Sequence, residues 1–424
     1  MTHNATPSTV SVIGLGYIGL PTAAVLASRQ VKVIGVDINQ NAVDTINRGA
    51  IHIVEPGLEQ IVQSVVKEGW LRATTTPEPA DAFLIAVPTP FKGDYEPDLS
   101  YIRAATEAIA PVLRPGNIVI LESTSPVGTT EQMVQWLSEL RHDLKLPLQG
   151  SVDSDVYVAY CPERVLPGQV VRELVANDRI VGGINPISAQ KAKSVYSLFV
   201  EGQLLETNAR TAEMSKLTEN AFRDVNIAFA NELSLICDKL QINVWELIDL
   251  ANHHPRVKIL QPGAGVGGHC IAVDPWFIVN KTPEQARLTR TAREVNDSKP
   301  HWVFGQIEAA IHQVEAHGTP KGKVKVALLG LAFKPNIDDL RESPALHIAQ
   351  EISERIDCEL SFVEPFVDEL PASLKRGELA TLSDALSQAD VVAVLVKHSL
   401  FTEAPLRVKE GARLVDVVGM PSSH

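Results

Sequence analysis

Cysteine is scarce in this chain of 424 residues. Cys161, Cys237, Cys270 and Cys358 lie far apart with no C-x-x-C, which excludes a disulfide framework and a zinc ribbon and fits a reducing compartment. No apolar run approaches the ~18 residues of a membrane-spanning helix. Residues 1–9 lack the basic-then-apolar order of a secretory signal, so a cytoplasmic location is expected. Positive charge is outnumbered, with 38 Lys and Arg against 51 Asp and Glu and a net charge of -13, which opposes nonspecific attraction to nucleic acid or anionic lipid. Neither a nucleic-acid nor a membrane partner is expected, and an anionic ligand must meet a local cluster of cations. Aromatic residues make up only 5%, but 45% hydrophobic and 21% charged residues describe an ordinary globular protein with enough apolar surface for a sizeable core. At ~150 residues per domain, the length predicts two or three compact units.

From Thr9 a β-branched run (Val10, Val12, Ile13) leads to a glycine turn, a helical stretch over 18–28 and a second apolar run over 31–36 that ends on Asp37. This predicts a βαβ opening. Apolar runs at 82–87, 117–121 and 156–159 alternate with helix-like stretches such as 101–113 and 131–140, and such alternation predicts a parallel sheet. Between 211 and 241, Met214, Leu217, Ala221, Phe222, Val225, Phe229, Leu233 and Ile236 recur mostly at three- and four-residue steps with no Gly or Pro. That pattern predicts a long central helix, apolar over much of its circumference and buried between lobes. After a Gly/Lys-rich link at 318–323, the βαβ style restarts at 324–329, with a helix from Pro344 and apolar runs at 391–396 and 413–418. The expected fold is α/β: two Rossmann-like doubly wound domains joined by a central helical segment with a long helix. The expected divisions are an N-terminal domain over 1–205, a helical segment over 206–318 and a C-terminal domain over 319–424.

Gly14-Leu15-Gly16-Tyr17-Ile18-Gly19 is a G-x-G-x-x-G after a strand and before a helix, where backbone amides and the helix N-terminus can approach a pyrophosphate. Asp37 ends the next strand, placed to accept from both ribose hydroxyls and to repel a 2′-phosphate, which favours NAD over NADP. A tight turn followed by a solvated Asp is the competing reading. Cys270 sits in the glycine-rich stretch from Gly263 to Gly268 and His269, with Asp274 close behind. A thiolate is favoured there by His269 or by a following helix N-terminus, and an inert cysteine is the alternative. Lys216, Asn220 and Arg223, at i, i+4 and i+7, form one polar stripe on the long helix, suited to line a pocket and hold an oxyanion, or else to face solvent. His253, His254, His269 and Cys270 lack a recognised zinc spacing, and no metal is expected. Phe333-Lys334 and Arg341-Glu342-Ser343 follow the first strand of the C-terminal domain, where open sheets bind ligands and cations suit phosphate.

Taken together, the opening glycine motif, Ser123-Thr124-Ser125-Pro126-Val127-Gly128, Cys161-Pro162-Glu163-Arg164, Lys216-Leu217-Thr218-Glu219-Asn220, Gly267-Gly268-His269-Cys270 and Phe333-Lys334 with Arg341-Glu342-Ser343 resemble the UDP-glucose/GDP-mannose dehydrogenase family over nearly the whole chain. Ile51-His52-Ile53-Val54-Glu55-Pro56, the run from Glu219 to Phe229 and Ile271-Ala272-Val273-Asp274-Pro275-Trp276 are similar to its UDP-N-acetyl-D-mannosamine 6-dehydrogenase branch. The resemblance implies a four-electron oxidation of the sugar C6 alcohol to the acid, with two NAD reduced, for a bacterial surface glycan such as enterobacterial common antigen. Cys270 would add to the aldehyde, giving a thiohemiacetal and then a thioester for water to hydrolyse.

By the same resemblance, Lys216 is the proton donor and acceptor and, with Asn220, holds the C6 oxygen; Asp274 acts with Lys216 on water, and Glu163 and Thr124 assist hydrolysis. NAD would meet Gly14, Gly16, Tyr17, Ile18, Gly19, Asp37, Thr89 and Thr130, with Arg341 completing the site. The UDP-sugar would meet Arg164, Val165, Lys216, Asn220, Arg223, His254, Arg256, Gly267, Phe333 and Lys334, Arg256 reaching the partner's site in a homodimer. Two positions depart from the family pattern. Val273 stands where UDP-glucose enzymes carry Lys, and Val418 stands where a cation is expected to touch the UDP-sugar. Oxidation of UDP-N-acetylglucosamine or UDP-glucose, a two-electron β-hydroxyacid dehydrogenase and a non-catalytic nucleotide-sugar or NAD sensor are the rivals.

Overall fold

The computed structural model describes residues 7–93, 95–166 and 168–421. The chain divides into two units, Met1–Glu219 and Asn220–His424.

The first unit is built on eight strands: β1 (Thr9–Ile13), β2 (Lys32–Val36), β3 (Leu71–Thr74), β4 (Ala82–Ile85), β5 (Ile118–Leu121), β6 (Tyr157–Tyr160), β7 (Arg179–Gly183) and β8 (Leu204–Asn208). They lie in the order β8-β7-β6-β5-β4-β1-β2-β3. Successive residues of a strand point to opposite faces, and here both faces are covered. Val10, Val12, Leu84 and Ile120 enter one apolar core, while Ile13, Phe83, Ile85, Val119 and Leu121 enter the other. That double burial explains why these segments read as unbroken apolar runs. The central strands are parallel, Val12 lying beside Gly35 of β2 and Leu84 of β4. The expected parallel pairing is interrupted at one edge, where β7 pairs antiparallel with β6 while β8 runs parallel to β7. Their residues escape the pattern because β8 is mostly exposed and β7 opens on Arg179.

Helix α1 (Gly19–Ser28) follows β1, α2 (Thr129–Leu140) follows β5 and α3 (Pro186–Tyr196) follows β7. The long helix α4 spans Ala209–Leu240, within two residues of the expected 211–241. Its predicted burial does not hold all round: Phe222 is 71% exposed and Phe229 50%.

The second unit continues with α5 (Val244–Asn252), α6 (Asp274–Lys281) and α7 (Arg287–Ala316). Pro300 inside α7 hid this helix from the sequence pattern, since proline ordinarily ends a helical run. A second sheet of five parallel strands follows, β9 (Lys325–Leu329), β10 (Glu359–Val363), β11 (Glu378–Leu379), β12 (Val391–Val394) and β13 (Arg413–Asp416), in the order β11-β10-β9-β12-β13. Helix α8 (Pro344–Arg355) starts at the predicted Pro344, capped by the Ser343 hydroxyl, which accepts from Leu346 N–H. Val326 and Leu328 face a core shared with Val303, Ile307 and Ile348, whereas Ala327 and Leu329 face the opposite one. The two sheets and the long helix establish the expected α/β class. Among the described residues no helix is long and apolar enough to cross a membrane.

Candidate active site

At the carboxyl ends of β1 and β2 the chain turns under steric constraint. Gly14 has φ +89°, and a Cβ there would lie 2.7 Å from the Ala86 carbonyl oxygen. A Cβ on Gly19 would meet the Gly14 oxygen, so both positions exclude larger residues. Gly16 is the opposite case: a Cβ would meet nothing within 4 Å, so the turn's outer side is open to an approaching group. Asp37 holds the far edge, its carboxylate accepting Leu15 N–H and Asn39 N–H at 2.9 Å each. Thr89, beyond β4, has a buried hydroxyl oxygen with no hydrogen-bond partner among the described residues. An open glycine turn, a fixed carboxylate and an unsatisfied hydroxyl fit a dinucleotide. Tyr17 is 45% exposed beside this turn, and Ile18 is half-buried at the start of α1. Thr130 is fully buried, and both its N–H and its hydroxyl donate to Glu213, at 2.8 and 2.6 Å. Gly128 N–H donates to the same carboxylate at 2.6 Å, so Glu213 of α4 occupies the α2 N-terminus.

Thr124 is half-buried just beyond β5, and Glu163 lies just beyond β6. Glu163 accepts Arg164 N–H at 2.7 Å and the Arg179 guanidinium at 2.5 Å. Arg164 turns its own guanidinium to Glu219 at 2.8 Å and to the Asp178 carbonyl, while Val165 packs against the first core. Behind Glu163, Arg179 also faces Glu122 at 3.9 Å and lies over the Tyr196 ring, and the Tyr196 hydroxyl donates to Glu122 at 2.6 Å. Burial pushes the Glu122 carboxyl up to about 7, opposed by Arg179 and reinforced by the Glu163 charge. Burial also pushes the Cys161 thiol up to about 12. Sequence reading missed Glu122, Arg179, Tyr196 and Glu213; the available signal was a charged residue bordering an apolar run, after it at Glu122 and before it at Arg179. On α4, Lys216 is half-buried and Arg223 exposed.

In the second unit Asn220, half-buried on α4, donates its amide to the Asp274 carboxylate at 2.5 Å. Asp274 is 2% exposed and opens α6. Cys270 precedes that helix by one turn, its carbonyl accepting Val273 N–H and Asp274 N–H at 3.1 and 2.9 Å. Cys270 is exposed, whereas the other three cysteines are buried. Its glycine loop runs against the segment after β9: a Cβ on Gly267 would lie 2.3 Å from the Glu342 carbonyl oxygen, and Gly268, at φ +81°, lies against the Phe333 ring. Lys334 extends over Phe333 at 5.7 Å, and Arg341 forms a two-pronged pair with Asp339 at 2.8 and 2.6 Å. His254 and Arg256 are both exposed, the Arg256 N–H donating to His254 Nδ1 at 3.4 Å. Val418 packs partly against both apolar cores of this unit. A cation reaches the same loop from elsewhere, Lys397 donating to the Gly419 carbonyl at 2.5 Å. Among the described residues no group of three or more His, Cys, Asp or Glu is placed to hold a metal ion.

Three models of one family match in order along the chain. The UDP-glucose/GDP-mannose dehydrogenase family's NAD binding domain matches residues 8–200, its central domain 210–298 and its UDP binding domain 327–420. A UDP-N-acetyl-D-mannosamine dehydrogenase of Salmonella typhi is 61% identical over 415 residues, covering 97% of this chain and 99% of the relative. An NDP-N-acetyl-D-galactosaminuronic acid dehydrogenase of Ralstonia nicotianae is 60% identical, covering 98% and 96%. A solved structure of UDP-D-ManNAc dehydrogenase from Pyrococcus horikoshii superposes with a TM-score of 0.85 at 38% identity, covering 96% of this chain and 99% of that one. With three models of one family matching in order and a relative this similar over nearly its whole length, the chain belongs to the UDP-glucose/GDP-mannose dehydrogenase family of NAD-dependent dehydrogenases.

Proposed function

We propose that this chain oxidises UDP-N-acetyl-D-mannosamine at C6 to UDP-N-acetyl-D-mannosaminuronate, reducing two NAD per sugar by way of Cys270. The observation that carries the cysteine route is the placement of Cys270, the one exposed thiol of four, on a glycine loop one turn before a helix N-terminus. An exposed thiol on such a loop can reach an electrophilic carbon.

NAD, held by Gly14, Gly16, Tyr17, Ile18, Gly19 and Asp37 with Thr89 and Thr130, and completed by Arg341, supplies the two hydride acceptances. Lys216 takes the C6 hydroxyl proton as the alcohol becomes an aldehyde, and the Asn220 amide steadies the oxygen. The Cys270 sulfur then bonds to the aldehyde carbon, restoring the tetrahedral centre from which a second hydride can leave; the product of that loss is a thioester. Water adds to the thioester carbonyl and the C–S bond breaks, returning the thiol and releasing the acid. Glu163 and Thr124 place and deprotonate that water, and Asp274, fixed by Asn220, acts with Lys216. The UDP-sugar is held by Arg164, Val165, Arg223, His254, Gly267, Phe333 and Lys334.

The stretches 1–205, 206–318 and 319–424 are assigned to NAD binding, to the catalytic helices and to UDP-sugar binding, supported by the family matches at 8–200, 210–298 and 327–420. A homodimer is assigned as well, with Arg256 serving the partner's site, supported by the exposed apolar residues Phe222, Phe229, Ile236 and Leu240 on α4. The reaction is placed in the cytoplasm, its product entering a bacterial surface glycan such as enterobacterial common antigen.

The Ralstonia relative at 60% identity supports a second reading, the same chemistry on another N-acetylated nucleotide sugar. Steady-state kinetics on UDP-N-acetylmannosamine, UDP-N-acetylgalactosamine, UDP-N-acetylglucosamine and UDP-glucose decide between them. The primary reading expects kcat/KM highest for the first by at least roughly tenfold, and a higher value for any other sugar overturns it.

A further inference from the structure

Glu163 and the two ionisable groups behind it are almost completely isolated from water: the side chains of Glu122, Arg179 and Glu163 are 0%, 4% and 8% exposed. One guanidinium serves two carboxylates unequally, bonded to Glu163 at 2.5 Å but only 3.9 Å from Glu122. The other oxygen of Glu122 is buried with no hydrogen-bond partner among the described residues. Glu122 is steadied instead by the Tyr196 hydroxyl, from α3. Tyr196 and Phe199 also face the guanidinium with their rings, at 5.0 and 5.5 Å, and the Cys161 sulfur lies 3.9 Å from it.

We propose that Glu122, Arg179 and Tyr196 are positioning residues for Glu163, and that the proton on Glu122 decides whether Arg179 is held by Glu163 alone or divided between two carboxylates. The inference rests on the assignment of Glu163 to thioester hydrolysis.

With Glu122 protonated, Arg179 and Glu163 form a neutral buried pair, and the undivided guanidinium stabilises the Glu163 carboxylate. When Glu122 loses its proton, the cluster carries one net negative charge and Arg179 is drawn toward the second carboxylate. Glu163 is then less stabilised as an anion and accepts a proton from water more readily. Burial brings the Glu122 titration close to neutrality, while the Cys161 thiol, pushed up to about 12, stays neutral. Arg179 from β7, Tyr196 from α3, and Cys161 and Glu163 at the end of β6 are the titratable and charged groups facing Glu122.

The test isolates hydrolysis. Enzyme, NAD and a substoichiometric amount of UDP-N-acetylmannosamine are mixed, and decay of the protein-bound thioester is followed from pH 6 to 9 for wild type, Glu122→Gln, Tyr196→Phe, Arg179→Lys, Arg179→Met and Glu163→Gln, each checked for folding by its thermal melt. Wild type should show decay that accelerates through an inflection near neutrality. Glu122→Gln should lose that inflection and stay on the slow plateau, roughly tenfold below wild type at high pH, with the KM for NAD unchanged. Tyr196→Phe should move the inflection, and Arg179→Lys should recover part of what Arg179→Met loses. A Glu122→Gln profile that overlays wild type while Glu163→Gln remains slow would overturn this inference alone. Wild-type decay in Glu163→Gln would overturn it together with the assignment of Glu163.

Discussion

In the proposed function the Asp37 carboxylate serves both the fold and the cofactor. Its two oxygens tie down Leu15 and Asn39 N–H, and from the same place they can accept ribose hydroxyls. Replacing it with Asn should raise the KM for NAD by roughly 10- to 100-fold, the worth of a charge-assisted hydrogen bond, and narrow the preference over NADP; an unchanged KM would remove Asp37 from the cofactor site. Glu122 makes a stability prediction. Its carboxyl is raised to about 7 from an ordinary value of ~4.3, so the fold prefers the protonated form. That contribution is complete below the unfolded pKa and disappears as pH rises through the folded one, a change on the order of 3 kcal/mol. The stability of Glu122→Gln relative to wild type should therefore rise between pH 5 and pH 8 in denaturant titrations; parallel wild-type and variant curves would contradict it. Asp37 was legible in the sequence because a local motif fixes its place, whereas Glu122 and Arg179 meet only after β5, β6 and β7 are laid side by side, and nothing in their spacing announces it.

Among the elements, α4 was read nearly to its ends, since a Gly- and Pro-free apolar periodicity is the strongest local helix signal. What periodicity does not say is which apolar face stays uncovered within one chain. Phe222, Phe229, Ile236 and Leu240 are 71%, 50%, 45% and 61% exposed and recur at seven- and four-residue steps along one side. If the proposed homodimer forms through this face, changing Phe222 and Phe229 together to Asp should shift it from dimer to monomer in sedimentation velocity, and a dimer that survives would remove this face from the interface. The loop before α6 was legible as glycine-rich, but its packing against Phe333 and Glu342 was not. Gly267→Ala would place a Cβ 2.3 Å from the Glu342 oxygen. It should cost about 1–3 kcal/mol of stability and lower turnover, visible as a lower melting temperature and a reduced kcat; a neutral outcome would show the loop to be more yielding than its packing implies.

On the scale of the whole molecule, the α/β class was legible because strands covered on both faces leave unbroken apolar runs and the βαβ order dictates parallel pairing. The reversal at β7 and β8 was not, since strand direction depends on how the connections cross the sheet rather than on the residues within the strands. Val418 makes a related point: beside an established motif it looked like a lost cation, yet it packs on the cores while Lys397 brings charge to the same loop. The central claim is that one chain carries an alcohol through to an acid on a cysteine. The direct measurement is the number of NADH formed per UDP-N-acetylmannosamine consumed, with sugar limiting and NAD in excess, for wild type and Cys270→Ala. The account predicts two NADH for wild type and no acid from the variant. One NADH per sugar, or acid formed at the wild-type rate without Cys270, would contradict it.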